Sequence, residues 1–226
     1  MSRRTAVVTG ASSGIGAAAA RLLAADGFSV VVVGRDPGRT SAVAAEVGGE
    51  PAVADFARLD DVRAPAADLA ARHPRIDVLA DNAGGVFGRP RYTADGNETT
   101  LQVNHLAPFL LTALLRDPLV AGRGTVVATS STAARLATRL TRGSTSRMRP
   151  AYRTPLRWLT MGRPETGGAE LARLATGTPG VDWEPGEYHE RGVPVRDSPQ
   201  AFDDDLAVAL WEASADRVGL TGADRL

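Results

Sequence analysis

Two runs near the start of the chain, TAVVT (5–9) and FSVVVVG (28–34), are short, β-branched and apolar at consecutive positions. A strand covered on both faces needs no polar alternation, so such runs predict inner strands of a parallel sheet. Between them GIGAAAARLLAADG (14–27) switches to a helical pattern and ends on Gly27, a residue suited to a left-handed C-terminal cap. The alternation continues. PGRTSAVAAEVGG (37–49) predicts a second helix and PAVAD (51–55) a third strand. LDDVRAPAADLAARHP (59–74) predicts a helix with Pro65 in its first turns, and IDVLADN (76–82) a fourth strand. ADGNETTLQVNHLAPFLLTALLRDPL (94–119) predicts one long helix interrupted locally at Pro108, followed by a fifth strand in GTVVATS (124–130). Strands and helices alternating at this spacing predict an α/β fold built on a doubly wound, mostly parallel sheet.

From 131 to 163 neither period persists, and the segment is rich in Arg, Thr, Ser, Gly and Pro. Helical patterning returns in PETGGAELARLAT (164–176), GEYHE (186–190) predicts a short strand, and SPQAFDDDLAVALWEASADR (198–217) predicts a closing helix. Ser198 before Pro199 is the expected cap and first-turn pair of that helix. No internal repeat or low-complexity linker divides the chain, so residues 1–226 are expected to form one domain, with 131–163 an irregular segment on the substrate side.

Composition narrows the function classes. Basic and acidic residues number 26 each, for a formal net charge of zero, which leaves no electrostatic footprint for nucleic acid or an anionic membrane. There is no cysteine, which removes disulfides, thiolate metal sites and a cysteine nucleophile together. No window approaches the roughly 18 consecutive apolar residues of a membrane span, and no apolar leader precedes the first strand, so a cytoplasmic protein is expected. Every basic residue is arginine and none is lysine. Arginine stays protonated at any working pH, so it substitutes poorly for a tunable lysine.

The first strand runs into T-G-A-S-S-G-I-G, comprising Thr9, Gly10, Ser12, Ser13, Gly14, Ile15 and Gly16 with Ala11. Three glycines between a strand and a helix permit a tight turn, close approach of backbone to a pyrophosphate, and close packing of helix on strand. The amides that open the helix then face the phosphates. This spacing resembles the TGxxxGxG fingerprint of the short-chain dehydrogenase/reductase family. Further landmarks follow in register: Asn82-Ala83-Gly84 at the end of strand four, Asn104 in the long helix, and Ser130-Ser131 at the end of strand five. NHLAPFLLTALL and LWEASADRVGL resemble the retinol-dehydrogenase-like branch. The resemblance implies a Rossmann-type sheet with a dinucleotide on the glycine loop. It implies a tetrad asparagine at Asn104, a catalytic serine at Ser131, and adenine contacts at Asp55 and Phe56. At the end of strand two the chain reads Gly34-Arg35-Asp36. Arginine suits the 2′-phosphate of NADP, whereas an acidic residue there suits the free ribose of NAD, so Arg35 favours NADP.

The family uses a tyrosine for proton transfer with a lysine four residues later, YxxxK. A phenol with a pKa near 10 is a poor base near neutrality without that cation. The tyrosines here are Tyr92, Tyr152 and Tyr188, and the positions four beyond them hold Gly96, Leu156 and Gly192. SSTAAR passes almost directly into ATRL and YRTPLRWL, so relative to the family a helix and strand six are expected to be missing, of the order of 30 residues. Tyr152, with Arg153 and Arg157 near it, is the substitute proton donor to weigh against a role as an aromatic anchor. His105 is a general acid by type, expected to be structural because it points away from Asn104. The missing helix also forms part of the usual family interface, so any homo-oligomer is expected to use a non-standard one.

Three functions are open on this reading. One is an NADP(H)-dependent oxidoreductase with a weakened proton relay, acting on an apolar small molecule. Another is a non-redox catalyst such as a cyclase, isomerase or dehydratase, with no dinucleotide required. The last is a redox-inactive binding or partner protein. Fold alone does not choose among them.

Overall fold

The computed structural model describes residues 3–85, 87, 89–130, 163–196 and 198–222. Five strands form one sheet: β1 (Thr5–Thr9), β2 (Ser29–Gly34), β3 (Glu50–Val53), β4 (Val78–Asp81) and β5 (Thr125–Ala128). Their order is β3-β2-β1-β4-β5 and every pairing is parallel. β1 lies at the centre, with Val7 opposite Val31 on one side and Leu79 on the other. The order reverses direction at β1, because the chain builds outward to β3 and then returns to place β4 on the far side.

The continuous apolar strands supply two cores. Val7, Val31, Val33 and Leu79 face one layer, formed by α3 (Asp60–Arg72), α5 (Ala107–Leu114) and the end of α8 (Asp204–Arg217). Ala6, Val8, Val30, Val32, Val78 and Ala80 face the other, formed by α1 (Gly14–Ala25), α2 (Pro37–Val47) and α7 (Pro164–Thr176). Leu23, Leu69, Leu79 and Leu110 are among the largest fully buried side chains, each contributing about 1.5–3 kcal/mol on leaving water.

Gly168 of α7 meets Ala18 and Ala19 of α1 so closely that an added Cβ would lie 2.6 Å from the Ala18 Cβ and 2.9 Å from the Ala19 nitrogen. Small residues on both helices therefore set how near they approach. Beyond α7, β6 (Tyr188–Glu190) and β7 (Val193–Val195) form an antiparallel hairpin. Its turn carries Arg191 and Gly192, both at positive φ.

Two expected helices are divided. Residues 94–98 form a turn, with Gly96 at φ 78° and the Gly96 N–H donating to the Thr93 carbonyl. The carboxylate of Glu98 accepts from the Leu101 N–H and so caps a short turn, α4 (Thr99–Leu101). A π-helical turn, Gln102–Leu106, follows, in which the Ala107 N–H reaches the Gln102 carbonyl. Pro108 stands just after it in the first turn of α5, where its missing N–H costs no helical bond. Leu115 then breaks the axis before α6 (Arg116–Gly122). At the other division, Pro199–Phe202 form a 3₁₀ turn behind Ser198, and the cap of α8 is Asp203, which accepts from the Leu206 N–H. An acidic cap nearer the apolar end of the helix displaces the serine expected there.

Candidate functional site

The C-terminal ends of β1, β2 and β4, together with the chain after β3, surround a cleft. Its lining includes Gly10, Ser12, Ser13, Arg35, Asp36, Arg39, Asp55, Phe56, Ala83, Gly84 and Gly85. A cleft at this place in an open parallel sheet, where the strand order reverses, is the ordinary ligand position of the architecture.

The glycine loop is fixed by contacts that no other residue tolerates. Gly10 has φ 63°, and a Cβ on it would lie 2.8 Å from the Ala83 Cα. A Cβ on Gly16 would lie 2.6 Å from both the Asn82 amide nitrogen and the Gly10 carbonyl oxygen. Gly14 also has positive φ, 60°, but nothing among the described residues lies within 4 Å of its Cβ position. Two glycines thus secure packing, and the third leaves room on the outer side of the loop. No side chain caps the N-terminus of α1 at Ser13, so the first-turn amides keep their capacity for an anion.

Thr9 and Asn82 support the loop from behind. Thr9 is fully buried; its Oγ1 accepts from the N–H groups of Asn82 and Ala83, each at 2.9 Å, and donates to the Ala80 carbonyl at 3.2 Å. The Asn82 amide donates to the Thr9 carbonyl at 3.0 Å. These bonds tie the end of β1 to the turn after β4. Of the residues expected at the cofactor, Gly10, Ser12, Ser13, Arg35, Asp55, Phe56, Ala83 and Gly84 line the cleft. Thr9, Gly16 and Asn82 lie beneath it, and Ile15 packs towards Gly167 of α7.

At the cleft mouth Asp36 is the N-cap of α2, accepting from the Arg39 N–H at 2.9 Å and pairing with the Arg39 guanidinium at 3.4 Å. That backbone bond, followed by the arginine charge, holds the Asp36 carboxyl below the usual carboxylate range. Arg35 stands beside them, exposed. Asp55 accepts from the Ala57 N–H at 3.0 Å, shaping the turn that carries Phe56 into the wall.

Asn104, in the π turn, clasps Gly85: its Oδ1 accepts from the Gly85 N–H at 2.8 Å and its Nδ2 donates to the Gly85 carbonyl at 2.9 Å. One N–H and one lone pair of this amide remain for water or ligand. His105 turns the other way. Its Nε2 lies 2.8 Å from the Ser214 hydroxyl of α8, while that hydroxyl donates to the Leu210 carbonyl at 2.7 Å. Burial pushes the His105 pKa down. Its role as a helix-to-helix contact agrees with expectation. Ser130 is exposed just beyond β5, Tyr92 is 76% exposed, and Ser131 and Tyr152 lie outside the described residues.

Two features escaped the sequence reading. Asp81, at the end of β4, is buried; the Thr112 hydroxyl donates to its Oδ2 at 3.0 Å, and its Oδ1 has no partner among the described residues. Burial raises its pKa from 3.8 to about 7, against the opposing effect of the Thr112 bond. The other feature is a polar cluster around Gln102, a residue buried completely within an apolar stretch. The alternating Thr93, Asp95 and Asn97 ahead of it were the available signal, and the last two were absorbed into the expected helix. Among the described residues no cluster of three metal-ligating side chains occurs, and no helix is long and apolar enough to cross a membrane.

Against known proteins, residues 4–141 match the short chain dehydrogenase family. A protein named as a daunorubicin C-13 ketoreductase, DnrU, from Streptomyces sp. (strain C5) is 53% identical over 136 residues, covering 58% of this chain and 47% of its own length. A polyprenol dehydrogenase of Mus musculus is 42% identical over 141 residues, covering 58% and 42%. The chain therefore spans about half the length of these curated relatives. Dehydrogenase/reductase SDR family member 13 of Bos taurus is 32% identical over 286 aligned positions, covering 96% of this chain and 74% of the relative. That alignment is longer than the 226 residues available, so it passes through gaps in this chain. Among solved structures, an uncharacterized protein from Mycobacterium paratuberculosis superimposes with TM-score 0.67 at 29% identity, over 96% of this chain and 94% of that one. A metagenomic short-chain oxidoreductase in complex with NADP gives TM-score 0.56 at 28% identity, over 77% and 91%.

Proposed function

The chain belongs to the short-chain dehydrogenase family, and from that premise we propose that it is an NADP(H)-dependent oxidoreductase acting on an apolar carbonyl or alcohol without the usual Tyr/Lys relay. The observation that carries the reading is the retained cleft. Gly10 and Gly16 cannot be replaced without moving backbone, the α1 amides are uncapped, and Phe56 and Asp55 form the opposite wall. These residues fit a dinucleotide: the amides suit the pyrophosphate and the Phe56 side the adenine. Arg35 favours NADP, and Asp36, the next residue along the chain, already caps α2.

A bound nicotinamide cofactor supplies or accepts the hydride. The chain's part is to hold the reactants and to manage the proton. Asn104 fixes the turn at Gly85, Ser131 polarises the carbonyl oxygen, and Tyr152 or solvent delivers the proton to it. No lysine exists to lower the phenol pKa. A general acid is worth about 10²–10⁴ in rate, whereas orientation supplies effective molarities of about 10⁵–10⁸ M, so loss of the relay slows hydride transfer without abolishing it. The gaps against the Bos taurus relative support an internal deletion as the cause. An apolar substrate is supported by the relative named for polyprenol, and a cytoplasmic place remains the expectation from sequence.

Titration with NADPH, followed by energy transfer from the three tryptophans, tests this. Saturable micromolar binding is expected, and Gly14→Asp should abolish it. Gly14 has open space around its Cβ position, and aspartate tolerates positive φ better than most residues, so the variant should fold while placing a carboxylate against the phosphates. No binding up to millimolar NADPH sinks the oxidoreductase reading and leaves the non-redox catalyst and the redox-inactive binding protein.

A further inference from the structure

From the bonding around Gln102 we infer that this residue is the positioning residue for the adenine wall of the cleft, and that α8 belongs to the same support. The inference rests on the reading of the cleft as a dinucleotide site, but its geometry is independent of that reading. Gln102 is fully buried, and every polar capacity of its side chain is used. Its Nε2 donates to Asp95 Oδ2 at 2.7 Å and to the Phe56 carbonyl at 3.4 Å. Its Oε1 accepts from the Thr93 hydroxyl at 2.7 Å and from the Asn97 amide at 3.0 Å.

Each partner leads to a different element. Phe56 lines the cleft. Asp95 Oδ2 also accepts from the Leu59 N–H at 3.1 Å, so the chain between Phe56 and Leu59 is held at both ends by one cluster. Asn97, itself buried, accepts from the Arg217 guanidinium at 3.2 Å, which joins the end of α8 to the cluster. Gln102 opens the π turn that also carries Asn104, clasped to Gly85, and His105, docked on Ser214. One rigid turn thereby sets the wall at Phe56, the turn at Gly85 and the seat of the C-terminal helix. A buried amide with all its bonds made fixes one arrangement, since any displacement leaves a buried polar group unpaired.

The experiment uses the full chain and reads two things: amide hydrogen exchange over residues 54–59 without ligand, and affinity for adenosine 2′,5′-bisphosphate. Gln102→Leu removes all four bonds. Faster exchange at 54–59, with β1 unchanged, and binding weakened about three- to tenfold are expected. Gln102→Glu should do worse, because it sets a carboxylate against Asp95. Adding Asp95→Asn to Gln102→Glu removes that repulsion, but an amide donor then faces the Leu59 N–H and a carboxylate faces the Phe56 carbonyl, so the protection at 54–59 should stay lost. Unchanged exchange at 54–59 in Gln102→Leu overturns the inference, as does recovery of that protection in the double variant. If exchange responds as expected but even the wild type does not bind the bisphosphate, Gln102 remains the support of that wall and the dinucleotide reading falls.

Discussion

Replacing Asp81 by asparagine is expected to stabilise the protein by about 2–4 kcal/mol at pH 8 and to leave it nearly unchanged near pH 4. Asp81 is buried, its Oδ1 has no partner among the described residues, and burial raises its folded pKa to about 7. In the unfolded chain the same carboxyl titrates near 3.9. Below pH 4 both states hold the proton and the group contributes in full. Between pH 4 and 7 the unfolded state releases the proton while the folded state keeps it, so stability falls as pH rises. Above 7 the loss is complete. Asparagine carries no charge at any of these pH values, and its oxygen can still accept from Thr112. Urea unfolding of both proteins at pH 4, 6 and 8 measures the difference. Parallel stability curves would show that Asp81 does not titrate across the transition.

The second large effect belongs to the pair of glycines in α7. Gly168→Ala should cost about 1–3 kcal/mol, because the new methyl meets the Ala18 Cβ and α1 backbone at less than 3 Å. Gly167→Ala, one position earlier, should be neutral or stabilising by up to about 1 kcal/mol. The nearest atoms to its new methyl belong to the Ile15 side chain, which is 37% exposed and can turn aside, and alanine is the better helix former. The contrast separates close helix approach from helix propensity. Equal costs at the two positions would mean that α7 does not seat on α1 through Gly168. Thermal melts of the two variants decide it.

The five parallel strands were legible because a strand buried on both faces leaves an uninterrupted apolar run, as FSVVVVG does. The glycine loop was legible because its glycines keep a fixed spacing within one short stretch, although the backbone of Ala83 that forbids a side chain at Gly10 comes from the turn after β4. The turn at 94–98 was lost because Asp95, Gly96 and Asn97 were counted into a helix whose apolar half begins later. The same error concealed Gln102, whose meaning depends on Phe56, Asn97 and Arg217, residues brought together only by folding. Asp81 reads in sequence as one more residue at a strand end, and only its burial distinguishes it. For β7, three exposed residues hold their form by pairing with β6, a tertiary fact without a strong local pattern. Ser131 and Tyr152 keep the standing that the sequence assigns them.

The central place of β1 has a kinetic consequence. Its partner on one side, β2, follows after a single helix, but on the other side Thr5 is bonded to Asp77, 72 positions away. Parallel pairing at such separation closes slowly, because the loop entropy is lost before the contact forms. A nascent chain therefore carries Thr5–Thr9 with one flank bare until β4 has been synthesised. During that interval a strand buried along its whole length in the folded protein is open to the wrong neighbour, and the yield of folded protein depends on how quickly residues 78–81 arrive.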